Sequence, residues 1–131
     1  MDIEKASAYY SLLVGTSIVL IWLIILVGGG EARASLRDTP IEMVTHITLE
    51  LFTAMVLIVS GFGLLRELRW SRKSFFFGAG LLIYSVVSAA GFYGQQGDIV
   101  FVGLFGTIFL IGALIVFLMW VKESPKNKNS I

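Results

Sequence analysis

Residues 40–65 read PIEMVTHITLELFTAMVLIVSGFGLL. No Lys or Arg interrupts this run. A helix needs about 20 predominantly apolar residues to cross a hydrocarbon core of ~30 Å, so the segment is long enough to span a membrane. Within it lies Glu50, and one helical turn earlier His46, the single histidine of the chain. Side chains four residues apart share a helical face. A charged side chain at the centre of a membrane helix costs about 2.5–3.5 kcal/mol on insertion scales, so a residue such as Glu50 is expected to have a partner or a task.

Three more runs match it in length and character. They cover about residues 6–28, 74–93 and 99–121. They are continuously apolar rather than alternating, which excludes strands of a membrane barrel. The composition agrees: 56% of residues are hydrophobic and 15% charged, with mean hydropathy +0.86. Soluble domains carry about 25% charged residues. The reading is one four-helix transmembrane domain over residues 1–121, followed by a short polar tail over residues 122–131.

The first run could be mistaken for a secretion signal, because Ala32-Arg33-Ala34 resembles a cleavage site. Asp2 and Glu4 make the preceding region acidic, and the run exceeds the usual ~7–15 apolar residues, so a membrane span is the better reading. Gly28-Gly29-Gly30 ends that span, and Gly94 and Gly97 shape the turn before the last one. Thr39-Pro40-Ile41-Glu42 fits a capping box that opens the second span, with Thr39 as N-cap and Glu42 three residues in.

Of the ten Lys and Arg residues, all but Arg33 and Arg37 fall in the amino-terminal segment, the second connection or the tail. The positive-inside rule then places both termini in the cytoplasm of a multi-pass plasma- or inner-membrane protein. Tyr9, Tyr10, Trp70 and Trp120 fall at the cytoplasmic interface as an aromatic belt. Trp22 lies deep in the first span and should face lipid or a neighbouring helix. Short connections imply antiparallel neighbours, so the expected fold is all-α, an up-down-up-down four-helix bundle.

His46, Glu50 and Thr53 form a polar stripe that lipid would penalise, and it should face a neighbour. The third span brings Tyr84, Ser85 and Ser88 to matching depth. Thr16, Ser17, Gly103 and Thr107, with Gln95, Gln96 and Asp98 of the outer turn, are further candidates for the same region. These residues predict a polar pocket built around His46 and Glu50. In the leading reading it binds or relays a proton, an ion or a small solute, with Glu50 carrying the exchangeable charge. In a class-distinct reading the pair is structural, and the protein is a non-catalytic accessory or assembly subunit. A third reading has His46 and Glu50 ligate a divalent metal in a membrane enzyme; only two ligands are in view, whereas a catalytic zinc site uses three from the protein. Lipid or amphiphile binding in the same pocket completes the set.

Other chemistry is curtailed. The chain has no cysteine, which excludes disulfides and thiolate sites, and a single histidine argues against a haem bundle. No catalytic residue is assigned and no cofactor is required. Net charge of +1 gives no bulk attraction to nucleic acid. Arg66, Arg69, Arg72 and Lys73 serve as a topology signal and could hold anionic lipid headgroups. Small residues inside the spans (Gly61, Gly63, Gly78, Gly80, Gly112 and the Gly103/Thr107 step) permit close helix approach, and the last step suits a dimer. A chain this small can hardly enclose a solute path alone, so transport would need a homodimer or larger oligomer.

Overall fold

The computed structural model describes residues 2–123, and the tail beyond lies outside the described residues. The chain is helical, in five elements: α1 (Ile3–Gly28), α2 (Gly30–Asp38), α3 (Pro40–Leu65), α4 (Ser71–Gln95) and α5 (Ile99–Glu123). Four of them, α1, α3, α4 and α5, are long and apolar enough to cross a membrane.

The helix α2 is an element that the sequence reading passed over as a plain link. It displaces the expected capping box. Thr39 is the C-cap of α2, with its N–H donating to the Ser35 carbonyl at 2.9 Å. Its hydroxyl folds back onto the same carbonyl at 3.3 Å, so it gives α3 no side-chain cap. Pro40 still opens α3, where its missing N–H costs nothing.

The other boundaries follow backbone chemistry. Gly29 takes a left-handed φ of 77° and donates to the Ile25 carbonyl, closing α1. Gly97 does the same after α4 at φ 75°: Asp98 donates back to Tyr93 and Gly97 to Gly94, a Schellman pattern that satisfies the last carbonyls. The α3 end repeats this pattern with Leu68 bonding to Gly63 and Glu67 to Leu64. There the left-handed position is Glu67, at φ 55°, without the freedom of glycine.

Around the bundle the order is α1, α3, α4, α5. The α1–α3 contact is the most extensive and the α1–α5 contact much thinner. In lipid the approach of two helices rests on small residues rather than on expulsion of water. At Gly15 an added Cβ would sit 2.8 Å from Ile58 Cγ1 and 3.0 Å from the Ala54 carbonyl oxygen. At Gly61 it would sit 2.8 Å from Leu12 Cγ and 3.0 Å from the Ala8 carbonyl oxygen. Gly112 of α5 makes room for Tyr10 of α1, whose hydroxyl donates to the Ile108 carbonyl at 2.8 Å. Gly103, Thr107 and Gly80 face open space, so they take no part in packing within this chain. The rest of α5 is exposed on most sides, with only 6% of its apolar window buried.

Charged contacts gather at one end. Arg72 at the start of α4 pairs with Glu4 at the start of α1, and Lys122 near the end of α5 lies 3.0 Å from Asp2 and 3.6 Å from Glu4. The helices therefore alternate in direction. The hydrogen bond from Lys122 holds the Asp2 carboxyl below its ordinary value of 3.8.

Three outcomes follow for the fold. Gly15→Ala should cost roughly 1–3 kcal/mol of stability through overpacking, read as a lower thermal midpoint in detergent, whereas Gly80→Ala should not. Glu67→Gly should raise the midpoint by relieving about 1 kcal/mol of left-handed strain. An NMR titration should place Asp2 below its ordinary value, and Lys122→Gln should return it. Because the folded value is the lower one, this contact contributes above pH 3.8 and fades as pH falls through the folded value.

Candidate functional site

Glu50 stands about 15 Å along α3 from its first residue, at 1.5 Å per residue. The side chain is only 18% exposed. Three neighbours contact it. The Trp22 indole N–H of α1 donates to Oε2, and the Ser85 hydroxyl of α4 donates to Oε1 at 3.1 Å. His46 Nε2, one turn back on α3, is 3.4 Å from Oε1. One carboxylate thus ties together three of the four long helices.

Trp22 is the partner that sequence reasoning missed. The expectation left it facing lipid or a neighbouring helix; it faces the neighbour, being 7% exposed and packed edge-on against His46 of α3, with ring centroids 5.9 Å apart. Its depth in α1 was visible in the sequence, and depth was the one signal that could have paired it with Glu50.

His46, Glu50 and Thr53 of α3, with Tyr84, Ser85 and Ser88 of α4, line a single cavity of about 190 Å³, joined by Leu49 and Leu81. The titratable groups in it are Glu50, His46 and Tyr84, and no Lys or Arg lines it. Thr53 is buried and donates to the Leu49 carbonyl at 2.8 Å. The Tyr84 side chain lies at the mouth, where the residue is 73% exposed.

Other expected contributors stay away. Thr16 is exposed, Ser17 donates to its own helix at Leu13, and Thr107 donates to Gly103. Gln95, Gln96 and Asp98 do not line the cavity. His46 and Glu50 lack a third metal ligand: no group of three His, Cys, Asp or Glu able to hold a metal occurs among the described residues.

A second cavity, of about 420 Å³, opens at the charged end. Arg69, Arg72 and Lys73 line it together with Glu4 and Glu67, while Arg66 stands outside the lining.

The ties to Glu50 predict a stability ranking. Trp22→Phe leaves Oε2 without its donor and should cost about 1–3 kcal/mol, the range for an unsatisfied buried polar group. Trp120→Phe, at an exposed position, should leave the thermal midpoint in place.

No curated protein and no solved structure matches this chain. A family model does, over residues 1–130, and the protein therefore belongs to the family described as Domain of unknown function (DUF8058).

Proposed function

We propose that this is a multi-pass protein of the plasma or inner membrane, with both termini cytoplasmic, that binds an exchangeable proton or small cation at Glu50. The supporting observation is the placement of Glu50. The residue lines a cavity, its Oε1 3.4 Å from His46, within one of four helices long and apolar enough to cross a membrane. Intramembrane carboxylates of this kind commonly mark ion or proton pathways. Trp22 and Ser85 hold the carboxylate in one orientation, and His46 lies 3.4 Å from Oε1 beside the same cavity.

The cytoplasmic assignment of the charged end rests on its Lys and Arg content. At that end the cavity bearing Arg69, Arg72 and Lys73 suits the headgroups of anionic lipids, at about 1 kcal/mol per basic residue near the surface. Arg66 adds to the same field from outside the lining.

Trp22 makes the site testable without a known substrate. With Trp70→Phe and Trp120→Phe, it becomes the sole tryptophan. Its emission should then show a pH-dependent step in the otherwise unaltered chain, absent in Glu50→Gln and displaced in His46→Gln. An identical step with and without the carboxylate would refute the reading.

A second reading has its own observation. The exposed Gly103/Thr107 step on α5 suits the approach of a second copy, and the protein would then act through helix packing as an assembly subunit. The chain has no cysteine, so Gly103→Cys introduces a single thiol. Mild oxidation in membranes should yield a covalent dimer if this face is the contact, and monomer alone would dismiss it.

A further inference from the structure

The residues lining the Glu50 cavity come from α3 and α4 only. Neither α1, α5 nor any connection contributes to its walls. Trp22 of α1 stands outside the lining and reaches the site only through its bond to Glu50 Oε2. The rim residues His46, Leu49, Tyr84 and Ser88 are all exposed. The mouth is therefore a slot in the flank of the bundle, between two neighbouring helices. With α3 about 39 Å long against a hydrocarbon core of ~30 Å, the slot at Glu50 opens about 10 Å below the core boundary.

The chemistry of the slot is one-sided. Its polar centre is a carboxylate. The Ser85 hydroxyl proton is already committed to Oε1 and the Trp22 proton to Oε2. What remains for a ligand is acceptor capacity on the Glu50 carboxylate, beside the His46 imidazole 3.4 Å from Oε1 and the Tyr84 and Ser88 hydroxyls, which can donate as well as accept. With no Lys or Arg in the lining, a fatty-acid carboxylate or a phosphate would meet the Glu50 charge and no fixed counter-charge, His46 being cationic only when protonated. A bare Ca2+ or Mg2+ ion would need about six oxygen ligands, which walls containing Leu49 and Leu81 do not supply. An ammonium group fits. It donates to Oε1, and the exposed Tyr84 ring at the mouth offers a cation–π face.

Size points the same way. Pockets that enclose a drug-sized molecule hold roughly 300–1,000 Å³. At about 190 Å³ this one seats a head group and leaves a hydrophobic body outside, where the flank of the bundle meets lipid chains.

We propose that the slot between α3 and α4 takes a lipophilic amine laterally from the bilayer, seating its ammonium against Glu50. This rests on the reading of Glu50 as an exchange site in a membrane and names its ligand class. When Glu50 carries its proton, the ammonium replaces it: the carboxyl O–H bond breaks, one proton leaves to water, and an ion pair forms in its place. Pairing offsets the cost of either charge alone in hydrocarbon.

The test uses the full chain with Trp22 as sole tryptophan, in nanodiscs of zwitterionic lipid, titrated with hexadecylamine, palmitate and butylamine. Hexadecylamine should change Trp22 emission saturably. The response should weaken roughly tenfold or more in Glu50→Gln, the scale of one charge-assisted hydrogen bond. Palmitate should give no saturable change. Butylamine, with the same head but no lipid partitioning, should need a far higher concentration. An equal response to palmitate, an equal response in Glu50→Gln, or butylamine as potent as hexadecylamine would each overturn the proposal. The palmitate and butylamine comparisons are read on the unsubstituted site, so they stand even if Glu50→Gln misfolds. A Glu50-dependent pH step without any amine response would sink the amine alone and leave the exchange reading in place.

Discussion

The hydrogen bonds to Glu50 decide how three long helices are turned. A carboxylate enclosed among apolar helices without donors would carry a large penalty, so the fold must bring donors to it. Trp22 comes from α1 and Ser85 from α4. Meeting both fixes the rotation of α1 and α4 about their axes relative to α3. Apolar contacts are less selective, because one apolar side chain can replace another at little cost.

The small residues set distance where the polar contacts set rotation. Gly15 and Gly61 let α1 and α3 approach until backbone carbonyls lie about where a Cβ would contact them. That closeness, together with the Glu50 bonds, makes α1–α3 the frame of the bundle. By contrast α5 is held by Tyr10 at Gly112, by Phe101 and Phe105 stacked on Tyr93, and by Lys122 at the charged end. Its outer surface is left uncovered within this chain.

Much of this was legible in the sequence because membrane helices obey coarse rules. Runs longer than the hydrocarbon thickness, bounded by Gly or by charge, gave four long helices within a few residues of their bounds. The cavity lining was legible as well. His46, Glu50 and Thr53 share a face by spacing, and Tyr84, Ser85 and Ser88 lie at the same depth counted back from the opposite end of α4. The nine residues of α2 escaped notice. The segment GEARASLRD has good helix formers but no apolar stripe long enough to show a period. The capping box at Thr39 failed for a related reason: a motif of four residues does not reveal that the preceding residues are already helical. The Trp22 bond was hidden because it depends on the rotation of two helices far apart in sequence, which periodicity does not report.

The same constraint separates the two ends of the molecule. At the charged end, acidic and basic groups pair across α1, α4 and α5, and water is at hand to solvate what they leave over. The Glu50 end has a carboxylate, one imidazole and no fixed cation in its cavity. A structural tie needs only donors, and Trp22 and Ser85 already supply two. The tie alone does not account for a cavity beside the remaining lone pairs, or for an exposed histidine and tyrosine at its rim. Those features leave Glu50 lining space that a positive group can enter. This favours Glu50 as a site that exchanges its counter-charge over one that merely fastens helices together.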